Sequence, residues 1–174
     1  ENELRNMLHT AILHPGPAAV RYPRGSGVGC KLDTQLTTLD IGKAELLREG
    51  KDILLLPIGN CVYPAIEAAE GLKKVGIDAA VINPRFIRPL DEERIVTWAK
   101  KIGRVITIEE NVKKGGFGSG ILELIAAHGL SGVHVTILGL PDSFMEHAPQ
   151  KVLRQQAHID SPAIIQTALD VVAK

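Results

Sequence analysis

The positions of apolar residues predict alternating strands and helices from residue 52 onward. Short, nearly continuous apolar runs are typical of strands that are buried on both faces, whereas apolar residues spaced three or four apart indicate helices with one buried face. The predicted strands cover residues 52–57, 79–83, 105–108 and 133–138. The predicted helices begin near Pro64, Asp91, Ser119 and Ser161. This alternation predicts a mostly parallel sheet with helices on both faces.

The segment at residues 40–49 precedes the first of these buried strands and is more polar. We interpret it as an extra strand, because Gly50 and Lys51 resemble a hairpin turn leading into the next strand. The predicted fold is therefore an α/β fold, with an open, mostly parallel sheet and one antiparallel edge strand.

The first forty residues follow a different pattern. A helical stripe over residues 2–13, with Asn2 as its N-cap, is broken by the sequence His-Pro-Gly-Pro at 14–17. Residues 18–22 are typical of a short strand, and residues 25–39 are rich in glycine and polar residues. We interpret the latter stretch as a linker, and hence as a candidate domain boundary.

Composition and charge narrow the class of protein. Apolar residues make up 45% of the chain and aromatic residues 3%, so the core must be built from aliphatic side chains. Lysine plus arginine and aspartate plus glutamate number 20 each, and this balance argues against a general nucleic-acid binder. No apolar run approaches the roughly 20 residues that cross a bilayer, so no membrane association is expected.

The cysteines and the first residue bear on the origin of the chain. Cys30 and Cys61 are too few for a disulfide framework, and no secretory leader opens the sequence, so we expect a cytoplasmic protein. The chain begins with Glu1 rather than methionine and enters a helical pattern at once, which suggests a piece of a longer protein.

Arg85 is the first candidate for binding chemistry. It directly follows a predicted buried strand, and ligands of open parallel sheets bind at the carboxyl ends of the strands. A guanidinium there suits a carboxylate or phosphate, because it offers planar pairs of donors. The alternative is an ion pair with Asp91, Glu92 or Glu109, and from the residues alone this alternative is slightly favoured.

A second candidate is formed by Arg21 and Arg24, which flank a Tyr-Pro pair at the end of the predicted strand 18–22. An arginine at such a position can lie in a crevice or simply carry surface charge, and the surface interpretation is favoured. The two carboxylates Glu109 and Glu110 follow another strand but are expected to point in opposite directions, so they do not form a natural acid–base pair.

The glycine-rich turn at residues 113–120 leads into a predicted helix. Free N–H groups at a helix start attract anions, but the spacing matches neither a phosphate loop nor a dinucleotide fingerprint. We therefore favour a structural role, in which the glycines let the helix lie close to the sheet. No histidine or cysteine spacing indicates a metal site, so none is expected.

Several motifs occur in order along the whole chain and carry a family resemblance. They are Arg-Tyr-Pro-Arg-Gly at 21–25, Ile-Gly-Lys at 41–43, Asn-Pro-Arg-Phe-Ile-Arg-Pro-Leu-Asp at 83–91, Ile-Glu-Glu-Asn at 108–111, Gly-Gly-Phe-Gly-Ser at 115–119 and Gly-Leu-Pro-Asp at 139–142. The chain resembles the C-terminal part of the 1-deoxy-D-xylulose-5-phosphate synthase family, whose members are thiamine-diphosphate-dependent enzymes of the transketolase type.

The resemblance implies a domain division and two binding residues. Residues 1–28 resemble the last helix and strand of a pyrimidine-binding domain, 29–39 a linker and 40–174 a transketolase C-terminal domain. It also implies that Arg21 and Arg85 hold the phosphate of glyceraldehyde 3-phosphate. No catalytic or cofactor-binding residue of the family maps onto this chain.

The implied activity belongs to a longer protein. It joins pyruvate and glyceraldehyde 3-phosphate to form 1-deoxy-D-xylulose 5-phosphate, a precursor of isoprenoids and thiamine. The resemblance implies a cytoplasmic homodimer that needs thiamine diphosphate and magnesium. Both cofactors would be bound outside this chain, which is expected to be inactive alone. Two alternatives remain open here: a domain like that of a 2-oxoacid dehydrogenase β subunit, whose lipoyl acceptor carries no phosphate, and a non-catalytic interaction module.

Overall fold

A five-stranded sheet organises the chain in the computed structural model, which describes residues 1–173. The strands are β1 (Glu45–Arg48), β2 (Ile53–Pro57), β3 (Ala79–Asn83), β4 (Arg104–Val112) and β5 (His134–Leu140), in the spatial order β1-β3-β2-β4-β5. Strand β1 is antiparallel to β3, and all other neighbours are parallel. The predicted α/β fold with one antiparallel edge strand is confirmed.

The helices are α1 (Asn2–Leu13), α2 (Val62–Lys74), α3 (Glu92–Ile102), α4 (Phe117–Ala127), α5 (Gln150–Gln156) and α6 (Ser161–Val172). A short 3₁₀ turn, Gly59–Cys61, precedes α2. Helix α5 was not predicted, because seven residues with no buried side chain give too little periodicity to detect. Lys174, the last residue of the predicted C-terminal domain, lies outside the described residues.

None of the helices within residues 1–173 combines the length and the apolar character needed to span a bilayer.

Strand β2 shows why the apolar run at 52–57 is nearly continuous. Ile53 and Leu55 pack with residues of α2 and α6 on one face of the sheet. Leu54 and Leu56 pack with residues of α3 and α4 on the other face. All four side chains are fully buried. Successive residues of a strand point to opposite faces, so a strand between two helical layers must be apolar throughout.

The edge strand is present, but the predicted hairpin is wrong. Strand β1 pairs with β3 rather than with β2, and Glu45 lies opposite Asn83. The N–H groups of Lys51 and Asp52 both donate to the carbonyl of Asp78 instead of closing a turn against β1. Strand β2 already has β3 and β4 on its two sides, so β1 is left with the free edge of β3.

Of the five predicted helix starts, two agree with the structure, α2 begins at Val62, two residues before Pro64, and the other two differ. The carboxylate of Asp91 accepts a hydrogen bond from the Arg94 N–H, as expected of an N-cap, and α6 begins at Ser161. Helix α4 begins at Phe117 rather than near Ser119, because a carboxylate from β4 satisfies the N–H groups of its first turn. Asn2 does not cap α1, since it lies inside the helix.

The predicted strand at 18–22 is wrong. Residues 14–44 contain no helix or strand, and most of their side chains are exposed. Among the described residues, no strand pairs with residues 18–22, so the backbone there joins no ladder. Residues 29–39 instead run along α1, whose polar side chains bind their backbone groups; these side chains are Asn2, Arg5, Asn6 and Thr10.

Candidate functional site

The carboxyl ends of the parallel strands form one edge of the sheet, which we call the carboxyl edge. Polar and charged residues lie at the carboxyl ends of three of these strands. Asn60 follows β2, Arg85 follows β3, and Glu109 and Glu110 belong to the last part of β4. Because ligands of open α/β sheets bind outside this edge, these are the residues whose surroundings matter most.

Arg85 is held in a backbone conformation that is uncommon for a residue with a side chain. Its φ is 60°, in the left-handed region, which costs an ordinary residue about 1–2 kcal/mol. Its N–H donates to Oδ1 of Asn83 at 3.1 Å, and Asn83 is the buried last residue of β3. The end of β3 therefore fixes the point from which the arginine side chain starts.

Two carboxylates hold the guanidinium of Arg85. Its Nε donates to Oε1 of Glu3 at 2.7 Å, and its Nη2 donates to Oε2 of Glu45 at 2.6 Å. A guanidinium has five N–H groups, so three remain for another partner. The side chain is 23% exposed, which leaves it reachable from solvent.

Glu3 also binds Asn83. The amide nitrogen Nδ2 of Asn83 donates to Oε1 and Oε2 of Glu3 at 3.0 and 3.2 Å. Glu3, Glu45, Asn83 and Arg85 thus form one connected group, which we call the Arg85 cluster. It joins α1, β1 and the end of β3, three elements that are far apart in sequence.

Arg85 does form ion pairs, as the alternative prediction expected, but the three predicted partners are wrong. Asp91 is buried and accepts the Ala44 N–H at 2.9 Å while it caps α3. Glu92 lies within 4.0 Å of His128, and Glu109 binds the start of α4.

Arg21, the second predicted phosphate ligand, has different surroundings from Arg85. It is exposed, in the segment without helix or strand, and so is Arg24. The charge of Arg21 acts against the rise in the pKa of Glu109, a residue of β4 whose pKa is raised chiefly by burial. Since β2 separates β3 from β4, the backbones of these two strands are roughly 10 Å apart. Arg85 thus follows β3, whereas Arg21 belongs to an exposed segment outside the sheet.

Glu109 closes the start of α4. Only 1% of this residue is exposed, and its two oxygens accept the N–H groups of Phe117 and Gly118, both at 2.8 Å. Burial raises the pKa of Glu109, while the two N–H donors and Arg21 act in the opposite direction. The helix start at the glycine-rich turn therefore does bind an anion, and that anion is a carboxylate of the protein itself.

The glycines of this turn have the structural role that we favoured. A Cβ atom on Gly118 would lie 2.6 Å from Oγ1 of Thr107 and 2.7 Å from Cγ2 of Ile137. A Cβ on Gly116 would collide with the carboxylate of Glu109. Both glycines therefore allow α4 to approach β4 and β5 closely.

Glu110 has a separate set of partners. It accepts hydrogen bonds from Nε of Arg154 in α5 at 2.5 Å and from Nδ2 of Asn60 at 2.9 Å. These contacts attach α5 to the ends of β2 and β4. Burial, with the Glu110 charge as a second cause, raises the pKa of the neighbouring Cys61 thiol to about 12.

The partners of Arg85 are what the sequence did not reveal. Glu3 and Glu45 lie 82 and 40 residues away from it in the chain. The antiparallel edge strand was expected to form a hairpin with β2, so the prediction gave no sign that Glu45 lies opposite Asn83 in β3.

Comparison with known proteins assigns the fold to a family. A model of the transketolase C-terminal domain matches residues 42–164. The chain is 55% identical over 177 residues to a 1-deoxy-D-xylulose-5-phosphate synthase of Desulfotalea psychrophila, covering 100% of this chain and 27% of that protein. It is 52% identical over 168 residues to the protein of the same name from Desulforudis audaxviator, covering 97% and 26%. The chain thus spans about a quarter of the length of these relatives.

Comparison with solved structures finds the same fold in transketolases. A split-gene transketolase, whose description as an inactive "beta4 tetramer" refers to its subunits and not to strand β4, superposes with a TM-score of 0.73 at 28% identity. The superposition covers 79% of this chain and 44% of that one. The transketolase of Campylobacter jejuni shares the fold, with a TM-score of 0.53 at 20% identity over 74% and 18%. Arg85, Glu109 and Glu110 all lie inside the matched range, whereas α1 and Arg21 precede it. The chain therefore belongs to the transketolase family, whose C-terminal domain it contains.

Proposed function

We propose that this chain is the C-terminal segment of a synthase that condenses pyruvate with glyceraldehyde 3-phosphate, with loss of carbon dioxide, to form 1-deoxy-D-xylulose 5-phosphate. The names of the relatives at 47–55% identity support this activity. In the proposal, residues 1–28 end a pyrimidine-binding domain, 29–39 connect, and 40–174 form the C-terminal domain. The precursor role for isoprenoids and thiamine, the homodimer and the cytoplasmic location stay predictions.

The segment's own contribution, in this proposal, is to bind the phosphate of the aldehyde through Arg85. The observation that carries it is the combination of a left-handed arginine at the end of β3 with three N–H groups left over. Strained backbone is retained where the surrounding structure enforces it, and such positions cluster at functional sites. A guanidinium with free N–H groups matches the oxygens of a phosphate.

A second cation is needed because the Arg85 cluster is not positively charged. Glu3 and Glu45 together outweigh the single charge of Arg85. A phosphate that approached this cluster alone would meet two carboxylates, which disfavour a further negative charge at short range. We propose that Arg21 supplies that charge. Its exposed segment leaves it free to turn toward the ligand.

The cofactors belong to other parts of the enzyme in this proposal. Magnesium is held by several oxygen ligands, and within residues 1–173 no three metal-binding side chains come together. Thiamine diphosphate, when bound elsewhere in the full-length protein, supplies the carbanion chemistry. The isolated chain is accordingly proposed to be inactive. The split-gene transketolase described as an inactive tetramer supports the proposal that the isolated chain is inactive.

Kinetics of the full-length protein with Arg85→Ala test the proposal. We expect the KM for glyceraldehyde 3-phosphate to rise roughly ten- to hundredfold, because charge-assisted hydrogen bonds to the phosphate are lost. The KM for pyruvate should not change. Arg88→Ala, which removes the same charge from an exposed position three residues away, is the matched control and should behave as wild type. An unchanged KM for the phosphorylated aldehyde would refute the proposed role and favour an acceptor without phosphate.

A further inference from the structure

We infer that Glu3 is a positioning residue for substrate phosphate, acting through Arg85 from outside the C-terminal domain. The inference rests on the proposed function of Arg85. It adds a residue from the opening helix, which lies before the matched range 42–164, to the binding site for the aldehyde.

The first argument is that one carboxylate fixes both ends of the arginine. Oε1 of Glu3 accepts from Nε of Arg85 at 2.7 Å, and the same carboxylate accepts from Nδ2 of Asn83. Asn83 in turn accepts the backbone N–H of Arg85 through Oδ1. Glu3 thereby orients the amide that supports the left-handed backbone, and it also holds the guanidinium at the end of the side chain.

The second argument concerns the direction of the free N–H groups. An arginine side chain has several rotatable bonds, and immobilising it when ligand binds has an entropic cost. Glu3 holds Nε and Glu45 holds Nη2, and these two hydrogen bonds, together with the covalent attachment through Cδ, restrict the orientation of the guanidinium plane. The remaining N–H groups are then oriented before the phosphate arrives. Such preorganisation strengthens binding without any contact between Glu3 and the ligand, and the inference is that this gain outweighs the repulsion between the Glu3 carboxylate and the phosphate.

The third argument is that α1 is itself held in place. Its polar side chains accept the N–H groups of the following segment: Asp33 donates to Asn2 at 3.0 Å, Thr37 to Asn6 at 3.0 Å and Leu39 to Thr10 at 2.8 Å. That segment leads into β1, which carries Glu45.

Both carboxylates of the Arg85 cluster are therefore mounted on one connected unit. This unit couples the phosphate site to the docking of α1. A displacement of α1 would remove the Nε partner of Arg85 and leave the Glu45 contact in place.

Glu45 supplies a matched comparison. Its carboxylate accepts a hydrogen bond from Nη2 of Arg85 but, unlike that of Glu3, none from the side chain of Asn83. Glu3 and Glu45 are exposed to similar extents, 39% and 42%. Replacing either should therefore have a similar small effect on folding. The inference predicts that Glu3 matters more for phosphate binding, because it also holds Asn83.

The experiment measures steady-state kinetics of the full-length protein with Glu3→Ala, Glu3→Gln and Glu45→Gln. We expect Glu3→Ala to raise the KM for glyceraldehyde 3-phosphate roughly tenfold, with kcat and the KM for pyruvate unchanged. Glu3→Gln should give a smaller rise, since its amide oxygen still accepts the N–H of Nε, and Glu45→Gln the smallest. The unphosphorylated analogue D-glyceraldehyde should be used equally well by all variants. An equal loss for both aldehydes would overturn the inference.

A double-mutant cycle with Arg85→Ala separates this inference from the proposed function. If Glu3 acts through Arg85, Glu3→Ala should have no further effect on the KM once Arg85 is absent. Additive effects would overturn the inference. If Arg85→Ala raises the KM and Glu3→Ala does not, the role of Glu3 is wrong and the proposed function stands. If Arg85→Ala itself leaves the KM unchanged, the proposed function fails first.

Discussion

The ends of β3 and β4 place opposite charges at the same edge of the sheet, and the two charges are used differently. Glu109, at β4, is 1% exposed, and both of its oxygens accept N–H groups of α4. Arg85, at β3, is 23% exposed and keeps three of its five N–H groups. A charged residue at a strand end is therefore not a binding residue by position alone. The number of hydrogen-bonding groups left over distinguishes the two cases.

The difference leads to opposite expectations for mutation. Changes at the end of β4 should affect the free energy of unfolding, because Glu109 satisfies buried backbone groups. Changes at the end of β3 should affect substrate binding, because the Arg85 cluster is partly open to solvent.

The largest effect on stability is expected for Glu109→Ala. The change leaves two helix N–H groups without their acceptor, so the free energy of unfolding should fall by about 2–3 kcal/mol. Urea denaturation followed by circular dichroism measures it. Glu110→Gln is the control: the glutamine amide keeps an oxygen that can accept one of the hydrogen bonds from Arg154 and Asn60, so the loss should be smaller, about 1 kcal/mol. Equal losses for the two variants would contradict the contrast between them.

The closeness of α4 to the sheet is tested by Gly118→Ala. The added Cβ would meet Thr107 and Ile137 at under 3 Å, and this overpacking should cost about 1–3 kcal/mol. Gly120→Ala is the matched control in the same helix, where a Cβ meets nothing within 4 Å. It should instead stabilise the chain by up to about 1 kcal/mol, because alanine is the better helix former. Thermal denaturation of the two variants should shift the Tm in opposite directions.

The pH dependence of stability tests the burial of Glu109. Its raised pKa means that the Glu109 carboxyl group binds its proton more tightly in the folded chain than in the unfolded chain. The contribution of this group to stability is therefore fully present below the ordinary value of 4.5 and is lost as the pH rises through the raised value. Glu109→Gln has no such proton. The free energy of unfolding of wild type relative to this variant should therefore fall as the pH rises above about 4.5. A difference that rises over this range would show that the carboxylate is stabilised rather than desolvated.

The smallest expected effect concerns the reactivity of the Cys61 thiol, which follows β2, the strand between β3 and β4. Cys61 is buried and the pKa of its thiol is about 12, whereas Cys30 is exposed. Since the thiolate is the reactive form, a disulfide reagent at neutral pH should modify Cys30 in the folded chain and both cysteines only after denaturation. Rapid modification of Cys61 in the folded chain would show that the region around Glu110 opens.

The sequence predicted the elements whose pattern is local. Leu54 to Leu56 are apolar because β2 is covered on both faces, and Asp91 caps α3 with the N–H three residues later. What it did not predict depends on contacts between distant residues. The pairing of β1 with β3 was mistaken for a hairpin, and the true cap of α4 lies on β4.

The same limit applies to the candidate site. Arg85 was singled out by its place after a strand, but its carboxylate partners come from two other elements. Residues 18–22 show the opposite error: their composition favours a strand, and no strand among the described residues pairs with them. Local propensity alone does not make a strand.

The central claim, that Arg85 binds the phosphate of the substrate, is tested most directly by comparing two aldehydes in the full-length protein. The measured quantity is the ratio of kcat/KM for glyceraldehyde 3-phosphate to kcat/KM for D-glyceraldehyde, in wild type and in Arg85→Ala. If Arg85 binds the phosphate, the ratio should fall by roughly tenfold or more in the variant, with the D-glyceraldehyde value unchanged. An unchanged ratio would contradict the claim, because the arginine would then serve both aldehydes alike.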